Sequence, residues 1–275
     1  MNRPMRRLLI QLIISGLAGT AYAADMESLA VTAPELKAEA PFTLTPDLRT
    51  PAIKESPELT KVKKILGFGG GIRQEDKAFM NKWFPKFFAK GLIGRAPTKF
   101  EKSMVAEYWF TKLAKKDYWR ITAEACDNYN CVSWGLGITG DWIDPGNTAE
   151  NFEKIAWEYG YLPLNPGESE KQAELAYWED AGEPTHICRR VAGDIWESKV
   201  GSSVRILHRL KDLEDSVYGH VAKLYRRAKP EELAALGATP KEPDGNGIDP
   251  CGAGKVTKSF DGTYNIGSPY AVRRR

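Results

Sequence analysis

The sequence predicts an α+β fold: a helical layer packed on a small antiparallel sheet, with a helical extension on the amino-terminal side. Three observations predict it. Residues 75–118 place apolar side chains at helical spacing. Runs between residues 172 and 224 are short, rich in strand formers and punctuated by glycine. The helices come first and the strands follow, an order that segregates the two kinds of element.

In chain order, MNRPMRR carries three arginines and no acid, and LLIQLIISGLAG is too short an apolar stretch to span a bilayer well. Ala21, Tyr22 and Ala23 then form an A-x-A site. Residues 1–23 read as a cleaved secretory signal, so the mature chain is expected to be secreted or periplasmic, without a stable membrane anchor. The full sequence holds 39 basic and 36 acidic residues. Arg3, Arg6 and Arg7 account for the whole excess, so charge gives no ground for a nucleic-acid partner. Four cysteines in an exported chain point to disulfides and allow three complete pairings.

Residues 24–60, with Pro34, Pro41, Pro46, Pro51 and Pro57, read as a linker or surface strap. The helical extension covers 61–125. In it Pro85 is expected to kink one helix, and Thr98 with Glu101 forms a capping box ahead of a stripe of Val105, Trp109, Phe110 and Leu113. The core covers 126–227. It opens with a short helix from Cys131 to Leu136 and a second helix begun by Thr148 and Asn151 and closed by Gly160. Strands are expected over Gln172–Trp178, Thr185–Val191, Asp194–Lys199 and Tyr218–Leu224, the second and third joined in a hairpin at Gly193. Residues 228–275, with Pro230, Pro240, Pro243 and Pro250 among their prolines and many glycines, are expected to be irregular. LGFGGGIR (66–73) lacks the Lys-Ser/Thr of a phosphate loop, and DGNGID (244–249) lacks the closing glutamate of a calcium loop, so both read as turns.

Chemistry centres on DNYNCVSWGLG, residues 127–137. A thiol reacts as thiolate, which a helix start and a nearby imidazole both favour. Cys131 stands where a helix begins, and His186 in PTHICRR begins a strand, so the two are candidates for nucleophile and base. Three other readings stay open. Cys131 belongs to a disulfide; or Cys126, Cys131, His186 and Cys188 hold zinc; or these residues serve packing alone. A Cys126–Cys251 bridge is compatible with a free Cys131.

YNCVSWGLG, PTHICRR, WESKVGSSVRILH and YGHVAKLYRR, in that order, resemble an uncharacterised bacterial domain family with the ordered motifs Y-N-C-x-x-W-A-x-G, T-H, W-x-S-K-x-G, a histidine and Y-G. The resemblance runs from about Tyr129 to Arg227 and brings no activity with it. More loosely, the chain resembles papain-like cysteine hydrolases of the cell-wall peptidase and amidase type. That resemblance implies a papain-like core with Cys131 as nucleophile and His186 as base. Twelve residues on, it puts Ser198 at the third position, with Trp196 on the same face and Glu197 on the opposite one. Serine departs from the His, Asp, Glu, Asn or Gln usual there. His208, which matches the uncharacterised family's histidine, is the rival third member. Asn130 and Trp134 are the expected substrate-side residues, Asn130 near the oxyanion.

The function expected is an exported cysteine-dependent hydrolase that cleaves an amide bond in a peptide or peptidoglycan substrate, with no metal and no cofactor. The alternative is a non-catalytic secreted binding or effector module on the same scaffold. The sequence leaves oligomeric state open.

Overall fold

The computed structural model describes residues 55–67, 71–106, 110–243, 249 and 251. The expected signal (1–23), most of the proline-rich strap (24–54), Trp109, most of the DGNGID turn and the tail beyond residue 251 lie outside the described residues.

Helix α1, Pro57–Leu66, starts because the Ser56 side chain accepts from the Leu59 amide at 3.2 Å and Pro57 has no N–H to leave unpaired. Helix α2, Gln74–Ala89, continues through Pro85 and buries Met80, Phe84 and Phe88. Helix α3, Lys99–Met104, carries the expected capping box: Glu101 N donates to Thr98 Oγ1 at 3.2 Å and Thr98 N to Glu101 Oε2 at 2.8 Å. The helical stripe expected from Val105 to Leu113 is interrupted. Phe110 has φ −131° and ψ 72°, and only the single turn α4, Thr111–Ala114, follows. Phe110 and Leu113 are nevertheless both buried in one cluster.

After β1 (Arg120–Ala123) come α5 (Cys131–Leu136), α6 (Ala149–Glu158) and β2 (Tyr161–Pro163). Then follow β3 (Leu175–Asp180), β4 (Glu183–Ala192), β5 (Ile195–Lys199), β6 (Arg205–Arg209), β7 (His220–Arg227) and α7 (Pro230–Ala235). The start of α6 is as read: the Asn151 amide donates to Thr148 Oγ1 at 3.2 Å. Gly193, at φ 58°, turns β4 into β5.

The expected fold class is corrected here. Among the described residues, seven strands form one antiparallel sheet in the order β1-β6-β5-β4-β3-β7-β2. The molecule is built mostly on this sheet, with few and mostly short helices, rather than as a helical layer on a small sheet with a papain-like core. Three strands escaped the sequence reading. β1 and β2 are four and three residues long, too short to show a period, and β6 (RILHR) carries three basic residues among its five.

Cross-strand pairing fixes two faces. Trp178↔His186, Ala176↔Cys188, Arg190↔Trp196 and Trp196↔His208 share one. It packs with Phe110, Leu113, Trp119 and Tyr218. Tyr177↔Ile187, Leu175↔Arg189 and Glu197↔Leu207 share the other. That face meets α1 and α2 through Val191, Ile195 and Leu207, and α5 and α6 through Leu175, Tyr177 and Ile187. Helix α5 lies so close to β4 that a Cβ on Gly135 would come within 2.8 Å of Ile187 Cγ2.

Candidate functional site

Helix α5 is set by its caps. Asn130 Oδ1 accepts from Ser133 N and Ser133 Oγ, both at 2.9 Å, while Asn130 Nδ2 donates to Ile143 O at 2.6 Å. Gly137, at φ 85°, ends the helix in the left-handed conformation. Asn130 is therefore occupied as a cap, which ties α5 to the 143 loop. Cys131 is a free, half-buried thiol in the wall of a cavity of about 110 Å³, shared with Trp142, Asp144, Phe152, Tyr177 and His186. Burial pushes its pKa up, against the opposing pull of the Ile187, Val132 and Cys131 amides.

His186, Ser198 and His208 are brought together. His186 Nε2 and Ser198 Oγ are 2.8 Å apart, and Ser198 Oγ and His208 Nε2 are 2.7 Å apart. His208 Nδ1 lies 2.8 Å from Arg209 O, which can only accept, so this nitrogen carries the proton. Burial holds both imidazoles neutral: His208 falls to about 4, and His186 is pushed well below its ordinary value, also by His208. One tautomer set then follows. His208 Nε2 accepts the Ser198 hydroxyl proton, Ser198 Oγ accepts from His186 Nε2–H, and His186 Nδ1 is left as a lone pair. That atom is buried and has no hydrogen-bond partner among the described residues. The His186 ring stacks on Tyr218 at 3.9 Å and 0°. Thr185 Oγ1 donates to Tyr218 O at 2.6 Å, and Gly219 follows at φ 73°, where a Cβ would meet Glu179 O at 2.1 Å. The T-H and Y-G segments interlock for these reasons.

Cys131 and His186 line the same cavity, but the thiol makes no hydrogen bond to Nδ1. Strand alternation sends Ile187 toward α5 and the imidazole to the other face. Trp134 lies outside the cavity. It is fully buried between the Arg189 and Arg205 guanidiniums, centred 3.6 and 3.9 Å from its ring.

Around Trp134 is a second network that sequence reading did not assemble. Arg189 Nη2 donates to Glu197 Oε2 at 3.0 Å, Arg205 Nη2 meets Asp249 Oδ2 at 2.8 Å, and Thr122 Oγ1 donates to Glu197 Oε1 at 2.6 Å. Burial would raise the Glu197 pKa, but Arg205 and Arg189 outweigh it and hold the carboxylate below its ordinary range. Lys199 Nζ donates to the carbonyls of Cys126, Gly201 and Ser203 at 2.7, 2.7 and 2.6 Å. The charged residues Arg189, Glu197, Lys199 and Arg205 on one face of β4, β5 and β6 were the available signal, since charges on a buried face need partners.

Cys126 is bonded to Cys251, which excludes Cys126 from any zinc set with Cys131, His186 and Cys188. No group of three or more metal-binding side chains occurs among the described residues, and no helix there is long and apolar enough to cross a membrane.

Residues 120–226 match a family model described as a domain of unknown function (DUF7689). The matched span contains both buried networks except Asp249, and it ends one residue short of the close of β7. Comparison with curated proteins and with solved structures gave no match.

Proposed function

We propose that the chain is an exported cysteine-dependent hydrolase acting on an amide bond, with peptidoglycan peptides as the substrate class. The observation that carries the reading is that His186, neutral and with an Nδ1 lone pair unpartnered among the described residues, lines the same cavity as the free thiol of Cys131. Ser198 and His208 fix the tautomer that leaves this lone pair available. Both groups are uncharged at rest, so the imidazole takes the thiol proton as sulfur attacks the carbonyl, rather than holding a preformed thiolate. That transfer requires the imidazole and the α5 thiol, which strand alternation sets on opposite sides of β4, to come together when substrate enters. Secretion rests on the basic, apolar and A-x-A segments, and the disulfide is compatible with an oxidising compartment. The substrate class rests on that compartment.

Incubation with purified cell walls, followed by quantification of released amines, tests the reading. Wild type releases amines, while Cys131→Ala and His186→Gln release none above background. Release by Cys131→Ala equal to wild type ends the proposal. The missing thiol–imidazole hydrogen bond favours a second reading, a non-catalytic binding module. On that reading Cys131→Ala binds cell-wall peptides as wild type does, and neither protein cleaves them.

A further inference from the structure

A distant part of the chain reaches the base of α5. The disulfide joins Cys126 to Cys251 across 125 residues, with Cα atoms 5.9 Å apart. Two residues before Cys251, the carboxylate of Asp249 is buried. Its Oδ1 accepts from Tyr129 OH at 2.8 Å and from Cys251 N at 2.9 Å, and its Oδ2 faces Arg205 Nη2 at 2.8 Å. Its amide donates to Gly67 O at 3.3 Å. Tyr129 stands two residues before Cys131, is fully buried and stacks on Trp134 at 5.4 Å. Lys199 holds the Cys126 carbonyl from the other side. One carboxylate thus ties the disulfide, a buried arginine and the segment that carries Cys131.

We infer that Asp249, held by the Cys126–Cys251 disulfide, is a positioning residue for the Cys131 segment, and that a dithiol reductant acting on this disulfide changes the reactivity of a thiol it does not touch. The inference rests on the reading of Cys131 as the working thiol. A dithiol supplies two electrons and two protons. The sulfur–sulfur bond breaks, Cys126 and Cys251 become thiols, and the reductant leaves as its own disulfide. Without the cross-link, holding Asp249 against Arg205 means closing a long loop at an entropic cost. When Asp249 leaves, the Tyr129 hydroxyl loses its acceptor and Arg205 its closest carboxylate. The 126–131 segment then loses the anchor that keeps Cys131 beside the Ile187 amide.

The test is the pH–rate profile for alkylation of Cys131 by iodoacetamide between about pH 6 and about pH 10, read by mass spectrometry of the Cys131 peptide. Tyr129→Phe keeps the ring stack and removes only the oxygen. It is expected to move the profile up by about half a unit, about threefold slower at about pH 8. Asp249→Asn does the same, and Asp249→Glu restores the wild-type profile. Dithiothreitol treatment and the Cys126→Ser/Cys251→Ser double variant give the same shift, and Tyr129→Phe adds nothing to either. A Tyr129→Phe profile that overlays wild type while the melting temperature falls overturns the inference, because the contact then only stabilises. Additive shifts from Tyr129→Phe and disulfide loss overturn it as well. Alkylation needs no turnover, so loss of the hydrolase reading in the cell-wall assay leaves this test intact.

Discussion

On one face of the sheet, β4, β5 and β6 contribute His186, Ser198 and His208; on the other, the same strands contribute Arg189, Glu197 and Arg205. Both sets are buried, at 4% exposure or less. One face meets the cost of burying polar groups by staying neutral: two imidazoles share a hydroxyl, and the His186 Nδ1 lone pair has no partner among the described residues. The other keeps full charges and matches them, with Glu197 between two arginines and Asp249 on the second. Burial alone does not select the solution. What differs is the neighbourhood, since the neutral face is packed with Trp178, Tyr218 and Trp196 and the charged face has opposite charges within reach.

The largest effect expected is on the charged face. Glu197→Gln leaves Arg189 without its carboxylate and should cost about 3–5 kcal/mol, read as a lower urea midpoint. A paired Arg189→Met/Glu197→Leu change, which removes the Arg189–Glu197 ion pair, should recover much of that loss. If Glu197→Gln is neutral, the contrast between the faces fails.

The neutral face makes the opposite demand on pH. His208 is held at about 4 against an ordinary 6.5, so its folded form resists protonation that the unfolded chain accepts. The stability it contributes is complete above about pH 6.5 and is lost as pH falls toward about pH 4, about 3 kcal/mol over the window. His186, also depressed, adds in the same direction. Urea titrations across this range should show the loss, and His208→Gln should reduce it to the share that His186 contributes.

Removing the shared hydroxyl is milder. Ser198→Ala leaves His186 Nε2–H without an acceptor and His208 Nε2 without a donor, at a cost of about 1–3 kcal/mol, and should abolish cell-wall cleavage if the proposed reaction is right. Smallest is Asn130→Ala, which removes the α5 cap and the bond to Ile143 O, about 1 kcal/mol by thermal melting.

Local signals in the sequence carried well. The caps at Thr98 and Thr148, the positive-φ Gly160 that closes α6, the helix from Cys131 to Leu136 and the Gly193 turn follow from residue chemistry over a few positions, whereas the Cys126–Cys251 bridge was one of several open pairings and spans 125 residues. Sheet size did not carry, because β1 and β2 exist through their partners rather than their own pattern. The step from His186 to Ser198 came from the papain-like resemblance, with alternation adding only that Trp196 and Ser198 share a face, and His208 joined the same chain of bonds instead of competing with it. Spacing could not give the direction of the His186 ring relative to α5, since that depends on which face the helix covers. Asp249 was invisible for a related reason: its partners, Tyr129 and Arg205, are far away in the chain.

The close approach of Gly135 to Ile187 makes those two positions a complementary pair of volumes. Size at one position is borrowed from the other: Gly135→Ala alone should push α5 off β4, and pairing it with Ile187→Val should let the helix settle back.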